Sequence, residues 1–273
     1  MLCTTVAARL KAETRHEENM ITLQERVAEA HKNKDTSLNL SNQGIRLLPP
    51  ELFDLVWLED LVLDGNLLVE IPDEIGRLKK LKRLSVSEND LMVVPDCLGD
   101  LLGLEKLYLG YNSLTEVPES LGDLTHLEKL NIAGNDMLDV PESLGNLSKL
   151  IKLSLHDNLL QSIPASFSGM KALQELLLDN NELQSIPASL AKLPNLEELV
   201  LSGNHITAIP TEFGNFKKLR ELVLDENDIT TVPDSLAGIS TLQVLSLVEN
   251  PVIEIPKRLQ ERGKKGLQIA WKS

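Results

Sequence analysis

The feature that most constrains this chain is a repeat of 23 residues that recurs without an insertion. One copy has the pattern Leu107-x-Leu109-x-x-Asn112-x-Leu114, and the first of the ten copies has Gln43 in place of the asparagine. A column of prolines keeps the same period. Such a period predicts stacked units that share one elongated core. The two columns are Asn66, Asn89, Asn112, Asn135, Asn158, Asn181, Asn204, Asn227 and Asn250, and Pro49, Pro72, Pro95, Pro118, Pro141, Pro164, Pro187, Pro210, Pro233 and Pro256.

The residue types within a copy predict its local structure. The Leu-x-Leu alternation is typical of a short strand, and equivalent strands of successive copies are expected to pair in parallel. An inward-turned asparagine has donors and an acceptor for backbone groups that the following bend buries. Proline after a branched aliphatic residue predicts an extended residue followed by a short helical or 3₁₀ turn. Glycines such as Gly122 and Gly145 indicate that the backbone of these turns is closely packed.

The two ends depart from the repeat and predict caps. At the N-terminus, Met20, Leu23, Val27 and Ala30 form one face of a helix that begins near Asn19, after a polar run expected to be frayed. We therefore predict an N-terminal helical cap over residues 1–34 and the solenoid over residues 35–256.

A second cap is predicted over residues 257–273. Pro256–Gly263 has proline at the start of a helix and glycine past its end. Leu267, Ile269 and Trp271 then alternate as a strand that begins one residue early in the 23-residue register. This predicted cap is basic, which favours a solvated end; contact with an acidic partner is the alternative.

The segment from Leu68 to Asn89, Leu-x-x-Ile-Pro-x-x-Ile-Gly-x-Leu-x-x-Leu-x-x-Leu-x-Leu-x-x-Asn, resembles the intracellular Ras-group leucine-rich repeats, and the resemblance covers residues 35–256. This group includes the Ras suppressor protein, plant intracellular proteins, Roco proteins and bacterial arrays. The resemblance implies an α/β solenoid: a horseshoe of ten repeats, with parallel strands on its concave face and short helical or 3₁₀ turns on its convex face. It also implies a non-enzymatic adaptor that binds protein partners, a small GTPase or a regulated enzyme among them, without cofactors.

The net charge and the cysteine content limit the classes of partner and the cellular compartment that we expect. A net charge of -14 argues against nucleic acid and against an anionic membrane surface. Cys3 and Cys97 have no plausible mates, whereas extracellular relatives of this architecture carry disulfide-rich caps. The first residues also contain no apolar run of signal-peptide length. We therefore expect a cytoplasmic monomer.

Side chains at the outward strand positions do not pack in the core, so we expect contacts with a partner there. In the first outward column, copies three to six have four basic residues in a chain of net charge -14, with both tyrosines of the chain beside them. Tyrosine and arginine are favoured interface anchors. Pairing of adjacent charged stripes for solubility is the alternative, although stacked like charges repel one another. This basic-aromatic patch comprises Arg83, Lys106, Tyr108, Tyr111, Lys129, Asn131, Lys152 and His156.

Copies seven to nine predict a second, acidic patch around an apolar row. It would suit a basic segment of a partner. The acidic patch comprises Glu175, Leu177, Asp179, Glu198, Val200, Glu221, Val223 and Asp225.

Enzymatic chemistry has no candidate residues. His156 and His205 are two strands apart, about 10 Å by strand spacing, which is too far for a shared metal. Nucleophile, base and orienting group do not converge in the repeat pattern. The sequence therefore favours a binding scaffold; a bacterial-type effector, an inhibitory subunit that occludes an enzyme, and a structural spacer remain the alternatives.

Overall fold

A computed structural model describes residues 22–271 of the chain. The predictions for Met20, for a helix start near Asn19 and for a frayed segment before it lie outside these residues. Within the described part, helix α1 occupies residues 22–33 and helix α2 occupies Lys257–Gly263. Leu23, Val27 and Ala30 of α1 are buried in the same apolar core as the repeats.

Eleven short parallel strands form one sheet in sequence order, one from each repeat and the last from the C-terminal segment. The prediction of a solenoid of parallel strands is confirmed. Nine 3₁₀ turns alternate with the strands over residues 22–271 and lie on the convex side, so the sheet lines the concave side. The strands are β1 Ser37–Asn39, β2 Asp60–Val62, β3 Arg83–Ser85, β4 Lys106–Tyr108, β5 Lys129–Asn131, β6 Lys152–Ser154, β7 Glu175–Leu177, β8 Glu198–Val200, β9 Glu221–Val223, β10 Val244–Ser246 and β11 Gln268–Ala270.

The asparagine column turns inward, as the sequence predicted. The side-chain amide of Asn158 donates to the carbonyls of Ile132 (3.0 Å) and Leu155 (3.1 Å). Its Oδ1 accepts from the backbone N–H of Met137 at 3.2 Å. Each such side chain thereby joins neighbouring repeats through groups that would otherwise be buried without a partner.

The prolines stand one residue earlier than predicted. Pro118 precedes the 3₁₀ turn Glu119–Asp123 in an extended conformation (φ -71°, ψ 151°) instead of occupying its first position. Its carbonyl accepts from the N–H of Leu121 at 3.1 Å and so begins the turn. Proline suits this position because its fixed φ is compatible with both the extended approach and the turn.

The glycines of the convex turns occupy tight positions. A Cβ at Gly122 would lie 2.5 Å from the carbonyl oxygen of Ser143 in the next repeat. This contact is with backbone, which cannot move aside without separating the two repeats.

Gly122→Ala is therefore expected to lower the free energy of unfolding by about 1–3 kcal/mol through overpacking. Gly103→Ala is the matched control, because a Cβ there would meet nothing closer than 3.8 Å. Urea denaturation midpoints of the two variants test the difference. Equal midpoints would show that the turns are not packed this closely.

The last strand arrives one residue late in the register instead of one residue early. Ile269, not Leu267, pairs with Leu245, 24 residues before it. The extra residue lies in the connection between β10 and β11, where the seven-residue helix α2 takes the place of a five-residue 3₁₀ turn. Gly263 is the last residue of this helix, whereas the sequence placed it beyond the end; the chain turns at Gly266, with φ 114°.

Candidate partner-binding surface

The strands fix the side chains of the concave face in straight columns. In each repeat strand the central leucine is buried in the core, and the residues on either side of it lie on the concave face, where Val62, Ser85 and Ser154 are covered by their neighbours. The pairing has no slip from β1 to β10: Lys106 pairs with Lys129, and Lys129 with Lys152. Equivalent side chains of adjacent repeats therefore lie about 4.8 Å apart.

The structure brings the four basic residues of the basic-aromatic patch into one column. Its two ends are neutralised: Arg83 lies 3.7 Å from a carboxylate oxygen of Asp60, and Lys152 lies 2.5 Å from one of Glu175. The two central lysines, Lys106 and Lys129, form no ion pair with residues 22–271. The available positive charge is thus concentrated on β4 and β5.

Both tyrosines lie beside these two lysines. Tyr108, at the end of β4, is partly exposed, and the guanidinium carbon of Arg83 lies 5.6 Å from its ring centroid. Tyr111 follows in the turn and is 54% exposed. Its ring lies over Gly134 of the next repeat, where a Cβ would approach Cδ1 of the ring to 2.5 Å. Glycine at this neighbouring position makes room for the ring.

The turn that holds Tyr111 has a backbone feature that the sequence reasoning missed. All ten repeats place a residue with positive φ at this position, from Asn42 (58°) to Glu249 (55°). Four of the ten are Glu or Tyr, which pay a steric penalty of about 1 kcal/mol or more in this region. The other six positions are glycine, asparagine or aspartate, the residue types that tolerate a positive φ, and this pattern could have predicted the conformation from the sequence. Tyr111, at φ 56°, therefore occupies a site that the fold alone would give to glycine or asparagine.

Two other residues of the basic-aromatic patch are engaged locally. Oδ1 of Asn131 accepts from the N–H of Ala133 at 2.9 Å and so supports its own turn. Nδ1 of His156 lies 2.8 Å from Asp157, which also accepts from Asn180 at 2.7 Å. Burial raises the pKa of Asp157, but the hydrogen bonds from Asn180 and His156 outweigh it and leave the pKa lowered. These contacts hold the side chains at the rim of the patch.

The acidic patch is also assembled by the strand register. Glu175, Glu198 and Glu221 are paired neighbours on β7, β8 and β9. On the other side of the central leucines, the apolar row of Leu177, Val200 and Val223 is partly exposed. Beyond the strands, Asp179 is also partly exposed, whereas Asp225 accepts from the N–H of Val248 at 2.7 Å and supports a turn.

The pKa of Glu198, at the centre of the three stacked carboxylates, is shifted by its environment. The pKa of Glu198 is raised above its ordinary value of 4.5, first by burial and then by repulsion from Glu175 and Glu221, with Lys152 opposing the shift. Because the folded state holds the proton more tightly, this carboxyl favours folding fully below its ordinary pKa. That contribution is lost as the pH rises through the folded-state pKa.

Glu198→Gln is therefore expected to raise the thermal midpoint at about pH 7 and to have little effect near pH 3, where the carboxyl is protonated. Glu212→Gln, at an exposed position in a convex turn, controls for the change in net charge. Thermal melts across this pH range test the prediction. A Glu198→Gln gain that persists at low pH would contradict it.

The described residues contain neither a metal site nor a membrane-spanning helix. Within residues 22–271, no group of three or more histidine, cysteine or carboxylate side chains is placed to hold a metal ion. No helix in that range is long and apolar enough to cross a membrane. The concave face presents charged columns and two tyrosine rings, residue types that are frequent at sites of protein recognition.

A solenoid with such a face is typical of the stacked-repeat class of proteins. A leucine-rich repeat family model matches residues 92–137, 140–183 and 194–252, which together make up more than half of the chain, and a two-copy model matches residues 171–215. The chain belongs to the leucine-rich repeat family. Members of this family are generally non-enzymatic modules that bind proteins.

Solved structures with the same architecture come from bacteria and plants. A leucine-rich repeat protein of Leptospira interrogans is 31% identical with a TM-score of 0.71, covering 86% of this chain and 65% of its own. The ectodomain of the Arabidopsis thaliana receptor kinase GASSHO1/SCHENGEN3, in complex with CASPARIAN STRIP INTEGRITY FACTOR 2, is 33% identical with a TM-score of 0.76, covering 85% and 29%. The Arabidopsis receptor kinase HAESA, in complex with the peptide hormone IDA and the co-receptor SERK1, is 31% identical with a TM-score of 0.70, covering 79% and 38%.

The chain thus spans less than two thirds of each of these solved chains. Among curated protein sequences, none matches it.

Proposed function

We propose that this protein is a non-enzymatic adaptor whose partner docks on the concave face, centred on Tyr108 and Tyr111. The observation that carries the proposal is Tyr111, an exposed aromatic residue at a positive-φ position where the fold favours glycine. The ammonium groups of Lys106 and Lys129 beside it, which form no ion pair within residues 22–271, would select an acidic or phosphorylated segment through charge-assisted hydrogen bonds.

The setting that we propose is cytoplasmic signalling, with a small GTPase or an enzyme that the protein regulates as the partner and the protein itself as a monomer. The support is the uninterrupted 23-residue repeat, which resembles the intracellular Ras-group arrays. The alternatives are a bacterial-type effector and an inhibitory subunit that occludes an enzyme. The plant receptor kinase HAESA, which shares the architecture, forms a complex with a peptide hormone, which supports recognition of an extended segment.

Charge reversal of the two unpaired lysines tests the proposal. Lys106→Glu with Lys129→Glu is expected to slow association with a partner isolated from the native lysate, and to flatten the dependence of the rate on salt. Association rates at two salt concentrations measure both effects. Lys257→Glu with Lys264→Glu, which reverses two exposed charges of the C-terminal segment, is the matched control.

A second candidate site is the acidic patch, which the partly exposed row of Leu177, Val200 and Val223 favours. It would bind a basic segment instead. If Glu198→Lys with Glu221→Lys slows association and the lysine reversals do not, the partner docks on this half and the proposed centre is wrong.

A further inference from the structure

Large apolar side chains are exposed along the loops that follow the strands, away from the concave face. They occupy the third and fourth positions after the recurring asparagine. Five of them, in repeats one, two, three and five, are between 49 and 63% exposed, and Ile253, apart from these in repeat ten, is 86% exposed. We call this set the loop edge: Leu47, Val69, Met92, Val93 and Leu138.

The loop backbone explains why these side chains face solvent. In the second repeat, Leu68 and Ile71 are buried, whereas Val69 and Glu70 between them are exposed. Adjacent loops are hydrogen-bonded, since the N–H of Met92 donates to the carbonyl of Val69 at 3.2 Å. The exposed side chains of repeats two and three therefore adjoin, whereas repeat four has Thr115 and Glu116 at these positions and separates Leu138 from them.

The later repeats show that the fold does not need apolar residues here. Repeats seven to nine have the same alternation of buried and exposed positions, but their two exposed residues are small or polar. These pairs are Gln184-Ser185, Thr207-Ala208 and Thr230-Thr231. The apolar residues of repeats one to three thus bring no folding benefit that polar ones lack, and exposed apolar patches mark interaction sites.

An acidic groove adjoins the loop edge between the third and fifth repeats. It has a volume of about 580 Å³, and Val93 of the loop edge lines it together with four carboxylates. None of these carboxylates forms an ion pair with residues 22–271, and the carboxylate of Glu119 accepts one long hydrogen bond (3.3 Å), from the N–H of Ser143. The carboxylates are Asp96, Glu116, Glu119 and Asp139.

We propose that the loop edge and this groove bind a basic amphipathic helix of a partner protein. Its apolar face would cover Val69, Met92 and Val93, and its lysines or arginines would extend towards the groove carboxylates, which have no counter-ion of their own. Five repeats at a spacing of about 4.8 Å span ~20 Å, the length of a helix of ~13 residues. This site is separate from the concave face, so both could be occupied at once.

A synthetic helical peptide of that length, with leucines on one face and lysines on the other, is the probe. Fluorescence anisotropy measures its binding to the whole chain. Met92→Gln with Val93→Ser converts the third repeat to the Gln-Ser pair that the seventh repeat already has, so the fold should tolerate it. We expect it to weaken binding about tenfold. Glu116→Gln with Asp139→Asn should weaken binding and flatten its salt dependence.

The matched charge control is Glu212→Gln with Glu254→Gln, which removes two exposed carboxylates elsewhere and should leave affinity within about twofold. A peptide with glutamate in place of lysine should not bind. The proposal is overturned if the loop-edge variants bind as tightly as the parent, or if the control weakens binding equally, which would indicate attraction by net charge. It is also overturned if only Glu198→Gln with Glu221→Gln weakens binding, because the peptide then occupies the concave acidic patch.

Discussion

Replacing Asn135 by leucine is expected to lower the free energy of unfolding by ~3 kcal/mol or more. The side-chain amide donates to the carbonyls of Leu109 (3.1 Å), Ile132 (3.0 Å) and Ala133 (3.2 Å). Its Oδ1 accepts from the N–H of Leu114 at 3.0 Å. Leucine would leave these backbone groups buried without partners, at about 1–3 kcal/mol for each unsatisfied group.

Asp136→Ala, at the next residue, is the control. Asp136 is exposed, and its backbone N–H donates to the carbonyl of Leu114 in the preceding repeat, a bond that alanine keeps. We expect this variant to unfold within about 0.5 kcal/mol of the parent. Urea denaturation compares the two variants, and equal midpoints would mean that the buried amide does not hold the repeats together.

Tyr108→Ala combined with Tyr111→Gly is expected to abolish most partner binding while the fold is retained. Truncating an interface anchor costs ~2 kcal/mol or more, which corresponds to about a thirtyfold loss of affinity. Glycine at position 111 also relieves the steric penalty of positive φ, offset by the larger entropy of the unfolded chain. The thermal midpoint should therefore change little.

Glu249→Gly is the matched control for this backbone effect. It changes the equivalent positive-φ position of the tenth repeat, at φ 55°, to the same residue but removes no aromatic ring. It should keep full affinity. A tyrosine variant that binds as tightly as this control would refute the assignment of the two rings to the interface, and one that unfolds would show that the rings support the fold.

The sequence predicted the fold in most of its parts because one physical requirement recurs in every repeat. The spacing of Leu107, Leu109 and Asn112 identifies the strand and its bend, since only that spacing buries two leucines and places an amide at the turn. The same alternation identified the outward columns, because a strand that buries one face exposes the other.

The remaining features depend on neighbours in space, which periodicity does not encode. Arg83 and Lys152 were grouped with Lys106 and Lys129 by column, but carboxylates of adjacent strands neutralise the first two. The last strand was misplaced because helix α2 lengthens its connection. The positive φ of Tyr111 went unrecognised because tyrosine does not signal a left-handed residue, although glycine and asparagine at equivalent positions do.

The most direct test of a concave docking site places a photo-crosslinking amino acid, benzoylphenylalanine, at position 111, where it replaces one aromatic residue by another. After irradiation in native extract, we expect a covalent adduct with a partner protein that disappears when Lys106 and Lys129 are both changed to glutamate. The same amino acid at position 212, in a convex turn, should give no such adduct. An adduct of equal yield at position 212, or none at position 111 when the partner co-purifies, would contradict docking on the concave face.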